Sequence, residues 1–201
     1  MTRRLGLLLL LCAAVSLAQA PGAFPEHLRA GEALFEKGEF DKAIREFKAA
    51  VKLRPNHSMA HVWLGRALGR KAEKSSPFRA MFIVGGVREA FERAVELDPA
   101  NLDARADLLE FYLEAPAVFG GGMDKARAQA AALEKLDKGE GHAARALIAE
   151  KEKRYDVAER EYRAALAARP ESKSYREDLE RFLERRGRNG QNPASPKAAA
   201  R

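Results

Sequence analysis

Two histidines have a spacing that could support metal chemistry. His57 and His61 are four residues apart, as are zinc ligands that share one face of a helix. No glutamate follows His57 directly, no third ligand is evident, and Pro55 places His57 in a predicted turn. We therefore predict no metal site.

The other features that could belong to an active site are equally isolated. Residues 120–122 are three consecutive glycines ahead of a predicted helix. No Gly-Lys-Ser/Thr sequence follows them and no predicted strand precedes them, so we do not interpret them as a phosphate-binding loop. No nucleophile motif surrounds any serine, and acidic residues are so numerous that no pair stands out as general acid and base. We predict a protein that is not an enzyme and binds no cofactor.

The N-terminal segment has the pattern of a secretory signal. Arg3 and Arg4 precede an apolar run from Leu5 to Leu17, and Ser16 and Ala18 are small residues at the positions that a signal peptidase reads. The run is shorter than the about 20 residues that cross a bilayer as a helix, so cleavage is favoured over a retained anchor. We predict a signal peptide over 1–18 and an exported protein, either periplasmic or secreted.

Cysteine usage and charge narrow the chemistry further. Cys12 is the single cysteine, and Leu11 stands where a lipoprotein signal has a small residue, so the mature chain would carry neither thiol nor lipid.

The net charge is +7, partly from the C-terminal end. Residues 187–201 are rich in Gly, Asn, Pro, Ser and Ala, which predicts a disordered basic tail. An exported protein meets little nucleic acid, and we predict no nucleic-acid partner.

One segment occurs three times in the chain. AIREFKAAVKLRP at 43–55 returns as VREAFERAVELDP at 87–99 and as VAEREYRAALAARP at 157–170. Each copy has apolar residues at helical spacing and ends in a proline, which disfavours helical geometry at the residue before it. The copies predict three equivalent helices.

The pattern resembles the tetratricopeptide repeat, in which a second helix of this kind follows a first helix that contains a small residue. In the first copy, Gly31 and Leu34 match the first helix, and Ala43, Phe47 and Pro55 match the second. The resemblance implies an all-α fold, a right-handed α-solenoid of about four helix pairs with a C-terminal capping helix. We predict a domain over 24–186, with repeats at about 24–57, 58–101, 102–138 and 139–171 and the cap helix at 172–186.

In this family the first helices of the pairs line a concave face that binds the partner. Helical phase predicts that the groove-facing residues are Arg29, Glu32, Trp63, Arg66, Arg70, Asp107, Glu110 and Glu114. The groove would be basic at the second repeat and acidic at the third. In the alternative interpretation these are solvated helix faces that pair across repeats, for example Arg66 with Glu110, and Trp63 fits the core between repeats equally well.

Two insertions interrupt the period. Ten extra residues fall between the helices of the second pair, around 75–86, and about five fall in the third pair, at 115–122. Because stacking places these turns side by side, we predict that they pack together as one apolar edge. Its candidate partner-binding residues are Phe78, Met81, Phe82, Val118 and Phe119. A purely local contribution to stability is the alternative.

The resemblance implies a non-catalytic scaffold that binds a protein or peptide. The lysines and asparagines with which some relatives grip a C-terminal carboxylate are absent, so that mode of binding is not predicted. The alternative function is an envelope-associated structural or assembly factor that self-associates through the apolar edge. Membrane contact is a less favoured partner, and the sequence leaves the oligomeric state open.

Overall fold

The computed structural model describes residues 23–190, which form nine α-helices and one short 3-10 helix. The helices are α1 Ala23–Glu36, α2 Phe40–Leu53, α3 Ser58–Glu73, α4 Pro77–Leu97, α5 Leu102–Glu114, α6 Met123–Leu136, α7 Lys138–Lys151, α8 Tyr155–Ala168 and α9 Lys173–Gly190, with the 3-10 helix at Ala117–Phe119. Each helix packs against the next, and α1, α3, α5 and α7 also contact one another in sequence. The predicted all-α solenoid of four helix pairs and a capping helix is confirmed.

The first two pairs close through a glycine on one helix and an aromatic ring on the other. A Cβ added at Gly31 would overlap the ring of Phe47, and one added at Gly65 would overlap the ring of Phe91. Both rings are buried. Close packing of this kind removes apolar surface from water and fixes the distance between the helices. The small residue that the repeat pattern has in its first helix therefore lies where the second helix packs.

The first insertion lengthens helices and leaves the turn unchanged. In the first pair, Gly31 lies five residues before the end of α1, and Phe47 lies seven residues after the start of α2. In the second pair both distances to the turn are longer: Gly65 lies eight residues before the end of α3, and Phe91 lies fourteen residues after the start of α4. Both turns contain three residues, at 37–39 and 74–76. The prediction that the ten extra residues form a connection between the helices is therefore wrong. Pro77 suits the first turn of a helix, and α4 continues from it through Gly85 and Gly86 without a break.

The second insertion is a connection, as predicted. Eight residues, 115–122, separate α5 from α6 and include the 3-10 helix. Gly120 has a φ of 95°, a left-handed conformation that a residue with a Cβ adopts only with strain. Gly121 leaves no room for a side chain, because a Cβ there would overlap the carbonyl oxygen of Ala115. Two of the three consecutive glycines are thus needed to form the turn.

The last helix runs further than predicted. We predict its end at Arg186, but α9 continues to Gly190, so the predicted disorder is wrong for 187–190. Ion pairs join Arg185 to Glu150 and Arg186 to Asp156, and they hold the last turns against α7 and α8. The predicted signal peptide at 1–18 and the remainder of the predicted tail, 191–201, lie outside the described residues.

Candidate binding cleft

A cleft of about 880 Å³ opens between α5 and α9, with α7 between them. Leu113 lines it from α5, Leu147 from α7 and Phe182 from α9, and Tyr155 lies at the start of α8. Leu113 and Phe182 are buried, whereas Tyr155 is 39% exposed. The cleft therefore combines an apolar floor with an aromatic side chain that a ligand could contact.

The packing of α9 creates the far wall. Phe182 is 1% exposed and packs with Tyr162 at a ring-centroid distance of 5.3 Å, in a cluster with Ala146, Ala149 and Ala158. The small alanine side chains on α7 and α8 make room for the Phe182 ring. A hydrogen bond also joins α9 to α7, because the hydroxyl of Tyr175 donates to Oε1 of Glu140 at 2.7 Å.

Most charges that line the cleft are paired with one another. Nζ of Lys151 lies 2.9 Å from Oε2 of Glu114, and Arg185 binds Glu150 with two hydrogen bonds of 3.0 Å. Arg181 pairs with Asp178 on the same helix. Exposed pairs of this kind contribute about 0–1 kcal/mol each, so a ligand could exchange partners with them at small cost.

Glu110 is the exception among the cleft carboxylates. It makes no ion pair with another described residue within 4.0 Å, although the charges of Arg66 and Arg181 are near enough to act on it. The surrounding helices limit the hydration of Glu110, which raises the pKa of this carboxyl, and the nearby charges of Asp107 and Asp178 raise it further. Its side chain remains accessible to solvent. A carboxylate in this state is available to accept hydrogen bonds from a ligand.

The basic part of the predicted groove is neutralised by acidic side chains of the protein. Nε of Arg66 donates to Oδ2 of Asp107 at 2.6 Å, and its terminal nitrogen donates to Oδ1 of Asp103 at 2.7 Å. Arg70 pairs with Glu73, three residues along α3. The predicted change of sign along the groove is therefore compensated within the protein. The alternative of pairing across repeats is right for Arg66, but its partners are Asp107 and Asp103, and the suggested pair with Glu110 does not form.

Asp107 is held in an environment that disfavours its charge. Burial raises the pKa of Asp107 to about 6, although the attraction of Arg66 acts in the opposite direction. Desolvation is the larger effect because only 18% of the Asp107 side chain is exposed. Burial therefore outweighs the attraction of Arg66, and the pKa of Asp107 lies above the usual range of an aspartate.

Trp63 belongs to the core between the first two repeats. Its ring stacks on Phe47 at 5.7 Å with an interplanar angle of 13°, and it meets the edge of Phe35 at 5.6 Å. The guanidinium of Arg66 lies 5.3 Å from the Trp63 ring centroid. The Arg66 guanidinium thus packs on the face of the Trp63 indole, and only part of the indole faces the groove.

The remaining predicted groove residues are divided between two places. Arg29 and Glu32 lie on α1, exposed and half-buried respectively, at the opposite end of the solenoid from the cleft. Glu110 and Glu114 line the cleft itself. The structure therefore places Glu110 and Glu114 beside the capping helix, whereas Asp107 stays with Arg66 and Glu32 lies on α1.

Sequence reasoning missed the contribution of the C-terminal helices to the cleft. Lys151, Tyr155, Asp178, Arg181 and Arg185 all line it. The charged residues of α9 have the spacing of a solvated outer face, and nothing in that spacing shows which way the face turns. The signal that could have identified them is the apolar stripe of α9, whose orientation on α7 and α8 turns Asp178 and Arg181 toward α5.

The two insertions do not bury one another. Phe78 and Phe82 are 69% and 75% exposed, and Val118 is 82% exposed. The 3-10 segment lies against α4 at Arg88, whose guanidinium fills the space beside Gly120. The predicted shared apolar cluster is wrong, because Phe78 and Phe82 lie on the side of α4 that faces away from its core contacts. Met81 is also exposed, and Phe119 is half-buried.

The two histidines have separate structural roles. His57 packs its ring against Phe24 at 4.8 Å, and Nε2 of His61 lies 2.8 Å from the carbonyl oxygen of Pro55. Within residues 23–190, no three His, Cys, Asp or Glu side chains are grouped so that they could hold a metal ion.

Comparisons with known proteins agree with this architecture. A family model described as a TPR repeat, the tetratricopeptide repeat, matches residues 31–71. A solved structure of MamA protein is 17% identical over 84% of this chain and 85% of that chain, with a TM-score of 0.52. A second MamA structure is 22% identical over 74% of this chain and 79% of that chain, with a TM-score of 0.54. These likenesses establish the fold. A comparison with curated proteins gives no match.

Proposed function

We propose that this tetratricopeptide-repeat protein is an exported, non-catalytic scaffold that binds a protein or peptide in the cleft between α5 and α9. The observation that supports the proposal is the cleft itself, with its volume of about 880 Å³ and its open carboxylate at Glu110. A cleft of this size accommodates several side chains of an extended or helical segment.

The side chains of the cleft suit a peptide with mixed character. Leu147 and Tyr155 offer apolar contact, and Glu110 offers an acceptor for a donor such as a lysine, an arginine or a backbone amide. The paired charges at Glu114 and Glu150 can re-pair with a ligand. Interfaces of this kind gain specificity from the polar groups and affinity from the buried aromatic and aliphatic ones.

Export is part of the proposal on sequence grounds alone. The basic start, the apolar run from Leu5 to Leu17 and the small residues before position 19 support it. The N-terminal residue of the protein isolated from its own host, measured by mass spectrometry, tests it. A chain that begins at Gln19 supports cleavage after Ala18, and an uncut chain would contradict it.

A selection from a random peptide library tests the binding proposal. We expect the full chain to enrich peptides whose affinity falls at least tenfold on Glu110→Lys or Tyr155→Ala. Both positions are exposed, so neither substitution should disturb folding, which circular dichroism checks. Lys48→Glu is the matched control, because Lys48 is exposed on α2, outside the cleft. Peptides that bind all four proteins equally would place the binding surface elsewhere.

A further inference from the structure

The start of α4 presents apolar side chains to solvent. Phe78, Met81 and Phe82 are 69%, 52% and 75% exposed, and they share one side of the helix because they are spaced by three and four residues. The two phenylalanine rings meet edge to face at 5.2 Å. Ile83 lies on the opposite side and packs into the core. We call residues 77–83 the overhang.

The overhang extends beyond its partner helix. The second pair is longer than the first on the side of its turn. After Gly65, α3 is three residues longer than α1 is after Gly31, and before Phe91, α4 is seven residues longer than α2 is before Phe47. About four residues of α4 therefore have no counterpart on α3, which corresponds to about 6 Å at 1.5 Å per residue. These are residues 77–80, so the first turn of the overhang, with Phe78, projects past the end of α3.

The stretch of chain that contains the overhang carries charge of one sign. No acidic residue occurs between Glu73 and Glu89, and three basic residues do, namely Lys74, Arg79 and Arg88. Lys74 and Arg79 are exposed. Arg79 has no ion-pair partner within 4.0 Å among the described residues, whereas Arg88 lies near Glu92. An exposed apolar face with unneutralised cations at its margin is complementary to an anionic lipid surface.

We propose that the overhang docks this protein on the surface of a bilayer that contains anionic lipids. Phe78, Met81 and Phe82 enter the boundary between headgroups and acyl chains, and Lys74 and Arg79 contact the lipid phosphates. Within residues 23–190, no helix is long and apolar enough to cross a membrane, so the contact is peripheral. The proposal does not depend on the cleft, which is lined by α5, α7, α8 and α9 and leaves the overhang free.

The exposed area argues against a second copy of the chain as the occupant. An aromatic side chain offers about 150–250 Å², so the exposed parts of Phe78, Met81 and Phe82 amount to roughly 400 Å². Stable dimers bury about 800 Å² per partner. Two overhangs brought together would also bring their cations together, with no acidic residue of the overhang to offset them.

The test uses a fluorescent label that reports locally, so that binding through any other segment does not confuse it. In the full chain with Cys12→Ser, the environment-sensitive dye NBD is attached to a cysteine introduced at Met81. Vesicles of phosphatidylcholine alone, or with about one third phosphatidylglycerol, are added, with and without nitroxide-labelled lipids. The control carries the dye at Lys48 on α2, which is also exposed.

We expect a blue shift of the Met81 label and quenching by nitroxide lipids on the anionic vesicles only, with neither change at the Lys48 label. Arg79→Gln should raise the lipid concentration for half-maximal signal about fivefold, because a basic residue at such a surface contributes about that factor. A Met81 label that nitroxide lipids leave unquenched overturns the proposal. A blue shift that follows protein concentration without vesicles also overturns it, in favour of self-association.

Discussion

Asp107 Oδ2 accepts a hydrogen bond of 2.6 Å from Nε of Arg66, and this contact joins the third helix pair to the second. The two residues are 41 positions apart in sequence. Arg66 also rests on Trp63, and Trp63 stacks on Phe47 of the first pair. A chain of contacts thus runs through three repeats, and its last member is a carboxylate with a pKa of about 6.

The burial of Asp107 should make stability depend on pH. The folded pKa of Asp107 is about 6, above the unfolded value of 3.8, so the folded state binds a proton more tightly. Its contribution to stability is complete below pH 3.8 and is lost as the pH rises through 6. We therefore expect the free energy of unfolding of the protein, minus that of Asp107→Asn, to fall by roughly 1–3 kcal/mol between pH 4 and pH 7.

Urea unfolding at a series of pH values measures this difference. Glu114→Gln is the control, because Glu114 lies in an exposed pair with Lys151 and its difference should stay within about 0.5 kcal/mol. A difference for Asp107→Asn that rises with pH would show that Arg66 lowers the pKa of Asp107 and that attraction outweighs burial.

The sequence predicts the architecture well because each repeat depends on residue types whose effects on the backbone and on packing are local. Gly31, Phe47 and Pro55 each have a physical role that their residue type alone indicates, namely close approach, filling and termination. The number of inserted residues followed from the same period. That they lengthen α4 did not, because Gly85 and Gly86 suggest a break where the helix in fact continues.

The candidate site was predicted less well because it depends on the relative orientation of distant helices. Glu110 and Glu114 were identified from the phase of α5. Arg66 was assigned to the groove, yet Asp107 and Asp103 neutralise it. Which charged faces meet across repeats depends on packing angles that helical periodicity does not contain.

Two glycines of α3 should respond in opposite ways to the same substitution. Gly65→Ala would drive a Cβ into the ring of Phe91, whereas Gly69→Ala meets no atom within 4 Å. We expect Gly65→Ala to lower the free energy of unfolding by about 1–3 kcal/mol and Gly69→Ala to raise it by up to about 1 kcal/mol. Urea unfolding followed by circular dichroism measures both. Equal effects would mean that Phe91 moves aside freely.

The turn between α7 and α8 contains a residue in a strained conformation. Lys153 has a φ of 61° and occupies the position that Gly38, with a φ of 72°, holds in the first pair. We expect Lys153→Gly to raise the free energy of unfolding by about 0.5–1 kcal/mol, because glycine adopts this conformation without strain. Thermal and urea unfolding measure the change.

Lys135→Gly is the matched control for that turn. Lys135 is exposed in the last turns of α6, where the backbone is helical, so glycine should destabilise the protein by up to about 1 kcal/mol. If both glycine variants were destabilised alike, the loss of side-chain contacts at Lys153 would outweigh the relief of strain.

The capping helix should control the stability of the last repeat and leave the first two unaffected. Phe182 is 1% exposed and packs on Tyr162, so Phe182→Ala leaves a cavity that costs about 3–5 kcal/mol. In a solenoid each repeat contacts only its neighbours. Hydrogen exchange followed by mass spectrometry should therefore show faster exchange in α7, α8 and α9 and unchanged exchange in α1 to α4.

Leu183→Ala is the control for this prediction, because Leu183 is 38% exposed, and it should have a much smaller effect. Uniform acceleration along the chain would show that the solenoid unfolds as one cooperative unit, and the cleft would then share the stability of the whole molecule.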